Sequence, residues 1–210
     1  KKLQPFLYTL AWQASSNGWP LIRPLFWDSG PQEELQDVED AFMLGNELLV
    51  APVLDKGGRH RDVPLPQGLW YDFWDDCLYE GGKMISMEAP LERIPLLVRA
   101  GSILPMQAEN SLTLNIYPPE QENVCIIYSD AGEGHGQGRL DSFHLKRSRQ
   151  TLEIRWESDG EFIWPYELVH LKLHAVKATK AWIDGRETDW DEESFALTSF
   201  ERMLIVLREA

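Results

Sequence analysis

Short apolar runs separated by turn residues dominate the chain from about residue 48 onward. Leu112-Thr113-Leu114-Asn115-Ile116-Tyr117, Thr151-Leu152-Glu153-Ile154-Arg155-Trp156 and Leu168-Val169-His170-Leu171-Lys172-Leu173 alternate apolar and polar positions. A period of two puts one set of side chains on a buried face and the other toward water, the pattern of a half-buried strand. Between such runs stand Gly57-Gly58, Pro66-Gln67-Gly68, Gly81-Gly82, Pro118-Pro119, Asp159-Gly160 and Asp184-Gly185, all turn formers. Strands recurring at this spacing predict β-sandwiches or barrels. Leu48-Leu49-Val50-Ala51-Pro52-Val53-Leu54 is a continuous apolar run and reads as a buried strand.

The first 45 residues follow another pattern. Pro5 in a first turn, then Phe6, Leu7, Leu10, Ala11 and Ala14, predicts a helix stopped by Ser15-Ser16-Asn17-Gly18. The apolar stretch Trp19 to Trp27 reads as a short buried strand, with Pro20 and Pro24 arguing against a central antiparallel position. Glu33 through Gly45 is expected to hold a short helix ending at the glycine. A helix–strand–helix segment thus precedes about 160 residues of β structure. That β part is expected to divide near Gln107 to Ser111, between the run Leu96–Pro105 and the next strand. The opening Lys1-Lys2 and the apolar residues after it make a poor signal peptide, ended early by Trp12-Gln13. With no initiator Met, the sequence is expected to start inside a larger protein.

Composition narrows the function classes. With 210 residues, 43% apolar and 26% charged, the chain can bury a core without disulfides or metal, and wholesale disorder is excluded. Acidic residues outnumber basic ones 34 to 20, a net charge of −14. That charge repels phosphate backbones and anionic lipid, and the densest basic cluster, Lys146-Arg147-Ser148-Arg149, is short. Neither nucleic acid nor a membrane is therefore an expected partner. No apolar run approaches the ~18 residues of a membrane span. Cys77 and Cys125 exclude a disulfide scaffold and are expected as free thiols. The absence of an Asn-x-Ser/Thr sequon favours a bacterial or cytosolic origin. Nine tryptophans keep open a free-standing carbohydrate-binding module, and the acidity keeps open an interaction or homo-oligomerisation domain.

Six strings occur in order: Arg23-Pro24-Leu25-Phe26; Phe42-Met43-Leu44-Gly45; Leu48-Leu49-Val50-Ala51-Pro52-Val53; Gly68-Leu69-Trp70-Tyr71-Asp72-Phe73-Trp74; Ala89-Pro90-Leu91 with Ile94-Pro95-Leu96; and Val98-Arg99-Ala100-Gly101-Ser102-Ile103-Leu104-Pro105-Met106. Together they resemble the C-terminal part of glycoside hydrolase family 31, the retaining α-glucosidase and α-xylosidase family. Leu3-Gln4-Pro5-Phe6-Leu7-Tyr8-Thr9-Leu10 is similar to the family's late barrel helix, and Tyr128-Ser129-Asp130-Ala131-Gly132-Glu133 resembles its distal acidic-Gly turn, with Ala131 where a second Asp is usual. The resemblance implies a mainly β fold, two β-sandwich domains preceded by the last helix–strand–helix segment of a (β/α)8 barrel. Residues 1–45 would be that barrel segment, 46–108 the proximal sandwich and 109–210 the distal one. No cofactor is implied; the partners would be the upstream catalytic barrel and, through it, a carbohydrate substrate.

Retaining glycosidases need two carboxyl groups about 5 Å apart, a nucleophile and an acid/base. In this family the nucleophile sits in a Trp-x-Asp-Met-Asn-Glu-type motif. Trp70-Tyr71-Asp72 and Trp182-Ile183-Asp184 share its first three positions only. Catalytic residues are therefore expected upstream and none within this chain. Barrel sites lie at the C-terminal ends of strands. After Leu21–Phe26 that position belongs to Trp27, which can stack on a sugar, and Asp28, which can bond a hydroxyl. The competing expectation is that Trp27 packs under the loop and Asp28 caps a turn. Arg23 is expected to make a buried ion pair or backbone bond. Trp70, Tyr71, Phe73 and Trp74 are expected to form a core aromatic knot, and Gly101 and Pro105 to set turns.

Other constellations have plainer readings. Asp75-Asp76 point to opposite faces of an extended chain and read as a turn. His170 and His174 would stand ~13 Å apart on a strand, too far for one metal. Gly132 to Gly138 lacks the G-x-G-x-x-G order and reads as a hairpin loop. Asp130, Glu133 and Asp141 are a conceivable calcium set without the EF-hand pattern. No Gly-x-Ser-x-Gly elbow occurs.

Overall fold

The computed structural model describes residues 1–27, 32–132, 136–190 and 195–207. These fall into two compact units: Trp19–Ala100, and Gly101–Ala210 together with Lys1–Gly18.

The Trp19–Ala100 unit holds β1 (Ile22–Arg23), β2 (Phe42–Leu44), β3 (Leu48–Val50), β4 (His60–Leu65), β5 (Leu69–Asp72), β6 (Leu78–Glu80), β7 (Lys83–Glu88) and β8 (Leu96–Arg99). Six of them form an antiparallel sheet in the order β1-β2-β3-β8-β5-β6, and β4 and β7 form a two-stranded ladder. The ladder alternates as its sequence directs. Val63, Leu65, Ile85 and Met87 point inward and share one core with Leu25, Leu49, Trp70 and Leu97. Polar His60, Asp62, Ser86 and Glu88 take the outward positions.

In the other unit, α1 (Gln4–Asn17) is followed by β9 (Ile103–Ala108), β10 (Ser111–Ile116), β11 (Asn123–Ser129), β12 (Arg139–Arg147), β13 (Thr151–Gly160), β14 (Leu168–Leu173), β15 (Ala178–Ile183), β16 (Arg186–Asp189), β17 (Phe195–Leu197) and β18 (Arg202–Leu207). A four-stranded sheet, β17-β14-β10-β9, faces a six-stranded one, β11-β12-β13-β18-β15-β16, through a common core. Leu112, Leu114, Ile116, Val169 and Leu171 come from the first; Ile127, Phe143, Leu145, Ile154, Met203 and Ile205 come from the second. This is the two-layer β-sandwich that the alternating runs predict. One pairing among the described strands is parallel: β10 lies beside β14, with Leu112 opposite Val169 and Leu114 opposite Leu171. The intervening chain crosses to the other sheet and returns.

The helix buries Pro5, Phe6, Thr9 and Leu10, a stripe at i, i+1, i+4 and i+5. It docks on β9 and β11. Thr9 Oγ1 donates to the Pro5 carbonyl at 2.9 Å and accepts from the Tyr128 N–H at 3.0 Å. Gly18, at φ 72°, closes the helix by donating its N–H to the Ala14 carbonyl. That left-handed turn strongly favours glycine, which is why the stop falls where the sequence places it.

Four expectations change. The helix expected over Glu33–Gly45 is a 3-10 turn at Glu33–Leu35 followed by β2. Ala41 and Met43 are buried on alternate positions, so a period of two overrides the weak helical spacing. The strand expected over Leu21–Phe26 shortens to Ile22–Arg23, because the chain turns at Pro24 and the Trp27 N–H bonds the Pro24 carbonyl at 3.1 Å. Pro105 lies inside β9, opposite Leu114, and tolerably so because β9 is an edge strand. Within the aromatic string, Trp70 and Tyr71 are buried, but Trp74 has left the sheet and lies exposed. Met106–Asn110 forms the end of β9 and the turn into β10. Among the described residues no helix is long and apolar enough to cross a membrane.

Candidate functional site

At the end of β1, Arg23 is almost fully buried. Its Nε donates to the Pro20 carbonyl at 2.9 Å, a terminal amine donates to Asn46 Oδ1, and its guanidinium lies 4.9 Å from the Trp19 ring centre. Arg99 reaches the same residue from β8, donating through Nε to the Asn46 carbonyl at 3.0 Å while stacking 4.4 Å over Trp70. Glu47 completes the group, accepting the Asn46 N–H at 2.8 Å. Burial raises its carboxyl above the ordinary range, against the backbone hydrogen bonds and the two arginines. Arg23 is thus a fastener of the turn that presents Trp27, as its expected backbone bond implies.

Trp27 has its ring 45% exposed, beside exposed Phe26 and Ile22. Asp28, its expected companion, lies outside the described residues.

The acidic-Gly turn supplies a second constellation. Tyr8 Oη on α1 donates to Asp130 Oδ1 at 2.5 Å, and the same oxygen accepts the Gly132 N–H at 2.7 Å. Tyr8 and Trp12 both stack on Tyr128, at 6.1 and 4.9 Å between ring centres. The tyrosine holds Asp130 below the usual carboxylate range, and Asp130 in turn pushes the Tyr8 phenol up to about 12. Ionising Tyr8 places two negative charges in contact. The contribution of this bond is therefore present below about pH 10, the ordinary tyrosine value, and disappears as pH rises toward 12. On the acid side it persists above Asp130's ordinary value of 3.8 and weakens as pH falls through the lowered one. Ultraviolet titration should show a tyrosine step near pH 12 that Tyr8→Phe abolishes. A profile unaltered by that substitution would show the bond absent in solution.

Asp141 is fully buried on β12. Arg139 grips it through Nε and Nη2 at 2.9–3.0 Å, and Trp156 Nε1 donates to it at 2.7 Å from β13. Of the conceivable calcium set, Asp141 is engaged by Arg139 and Asp130 by Tyr8, and Glu133 lies outside the described residues. His174 pairs with Asn115 Oδ1 at 3.1 Å and stacks on Tyr117, whereas His170 lies within β14. Asp75 and Asp72 cap the turn after β5, accepting the N–H groups of Cys77 and Trp74 at 3.0 and 2.6 Å. Burial raises the Asp72 carboxyl, partly offset by the Trp74 N–H. Cys77 and Cys125 are free thiols.

Residues 18–104 match the glycosyl hydrolase family 31 C-terminal domain. An alpha-xylosidase of Saccharolobus solfataricus is 37% identical over 170 residues, 76% of this chain and 22% of the relative. Alpha-glucosidase 2 of Bacillus thermoamyloliquefaciens is 26% identical over 98% of this chain and 27% of its own length. The chain is the C-terminal part of a family 31 protein. It spans about a quarter of the length of these relatives. In three dimensions it matches a Flavobacterium johnsoniae GH31 dextranase, solved with isomaltotriose, at a TM-score of 0.88 and 26% identity. That alignment covers 99% of this chain and 31% of the dextranase.

The family 31 match accounts for residues that spacing alone leaves unassigned. The Arg23–Asn46–Arg99 fastener joins two of the six collinear strings through Asn46, which stands between two others. Asp130 and Tyr8 are 122 positions apart, and only the resemblance of both local strings to one family brings them to attention beforehand.

Proposed function

We propose that this chain is the non-catalytic C-terminal portion of a retaining α-glycosidase that hydrolyses O-glycosidic bonds of α-glucosides or α-xylosides. The observation that carries this reading is the match of residues 18–104 to the family's C-terminal domain, with relatives named alpha-glucosidase and alpha-xylosidase. The nucleophile and the acid/base would be carboxylates of an upstream (β/α)8 barrel. Residues 1–45 would complete that barrel, with 46–108 and 109–210 serving as proximal and distal sandwiches that support it. Trp27 would stack on a sugar at the rim of the site, and Asp28 would bond a hydroxyl.

Surface chemistry supports the supporting role. In the Trp19–Ala100 unit, Trp19, Ile22, Phe26 and Trp27 are all exposed within nine residues of chain. On α1, Leu7 and Tyr8 are exposed as well. Large apolar side chains concentrated in this way mark a protein-binding surface, and a barrel is the partner the family would supply.

The test is turnover of aryl α-glucosides and aryl α-xylosides. The purified 210-residue chain should release aryl alcohol no faster than buffer. Combined with an upstream family 31 barrel, it should restore hydrolysis. Robust turnover by the chain alone would overturn the proposal, as would a barrel equally active without it.

A further inference from the structure

A cleft of about 590 Å3 lies on the unit containing residues 101–210, between the start of β12, the outer half of β13, the 161–167 loop and the segment leading into β18. Its size falls within the ~300–1,000 Å3 range of small-molecule sites. Trp156, Trp164 and Phe200 form its aromatic wall, with Trp156 edge-on to the other two at 5.0 and 5.4 Å.

The polar groups are arranged for a ligand without charge. Arg139 lies 5.3 Å over the Trp164 ring, and its charge is balanced by the buried Asp141. Nε and Nη2 are spent on that carboxylate, leaving Nη1 with no bond among the described residues. Ser158 and Ser199 add hydroxyls to the lining. Asp184, at the same rim, is committed to the N–H groups of Glu201 and Arg202 at 3.1 and 2.8 Å. Glu201 itself lines the opening, so an anion meets no surplus positive charge here.

One further group is unmatched. The Trp164 indole N–H is buried with no acceptor among the described residues. This N–H has no surface open to the cleft, whereas the Trp164 ring lines it, so the N–H resonance reports a ligand arriving beside the ring.

We propose that this cleft is an accessory binding site for a neutral mono- or disaccharide. Aromatic walls take the apolar C–H face of a pyranose. The free Arg139 N–H and the serine hydroxyls serve its hydroxyls. The site does not depend on the catalytic reading, because it needs neither the upstream barrel nor turnover.

The test is a titration of the 15N-labelled 210-residue chain with maltose, isomaltose and, as the anionic control, glucose 6-phosphate. The Trp164 indole N–H resonance should shift saturably with at least one neutral disaccharide, and glucose 6-phosphate should bind more weakly. Trp164→Ala, which removes the ring from the aromatic wall, should weaken binding about tenfold. Ser199→Trp, which fills the cleft, should abolish it. Should either variant fail to fold, the wild-type Trp164 resonance decides alone. No saturable shift up to about 50 mM sugar, binding by the anionic sugar only, or an affinity unchanged in both folded variants would overturn the proposal. Activity measurements with a barrel are untouched by any of these outcomes.

Discussion

Replacing Asp141 with Ala is expected to destabilise the chain by about 3–5 kcal/mol, the usual cost of removing one partner from a buried ion pair. The carboxylate is fully buried and accepts from both Arg139 and Trp156. Its removal leaves a guanidinium that is itself mostly buried without a counter-charge, and an indole N–H without an acceptor. Asp141→Asn should cost less, because the amide oxygen still receives one donor. Replacing Arg139 and Asp141 together by apolar residues of similar volume should cost less than Asp141→Ala alone, since no stranded charge remains. Denaturant midpoints of the three variants measure this order. A double variant less stable than the single one would show that packing, and not the uncompensated charge, sets the cost.

Trp70→Ala is the other large expectation, at about 3–5 kcal/mol. Trp70 has no exposed surface, its indole N–H donates to the Pro66 carbonyl at 2.8 Å, and Arg99 covers its ring. Truncation opens a cavity among Leu25, Leu49, Val63 and Leu97, strands a carbonyl and loosens the arginine that holds Asn46. Trp74→Ala, four residues along the same string, should cost only about 1 kcal/mol, because Trp74 is 42% exposed, lies outside the core and loses one exposed hydrogen bond, to the Ile94 carbonyl. Thermal melting of the pair separates core from surface. Equal melting points for the two variants would place both rings on the same kind of surface.

The contrast between Trp70 and Trp74 shows where sequence reading stops. Both stand in one aromatic string, and burial differs because β5 ends at Asp72 and the chain turns before Trp74. The turn is held by Asp72, whose carboxylate accepts the Trp74 N–H, a contact no periodicity reveals. Likewise Ala41 and Met43 fit a helical stripe with Leu35 and Val38 until strand pairing with β3 selects the other period. The three alternating runs are strands because each carries its own period of two, a property local to six residues.

Arg139 and Asp141 stand two apart, so strand geometry alone places them on one face. Trp156 joins them only because β12 and β13 pair in the register that sets Phe143 opposite Trp156 and Asp141 opposite Ser158. The aromatic cleft combines two strands and three loop segments and has no linear signature. Strand content, turn positions and family membership were written in the sequence, because period, turn chemistry and collinear strings are carried by neighbours along the chain. Which tryptophans are core, which carboxylate is buried and which rings line a cleft were decided by the tertiary structure. Burial and pairing depend on what a distant strand brings to the same face.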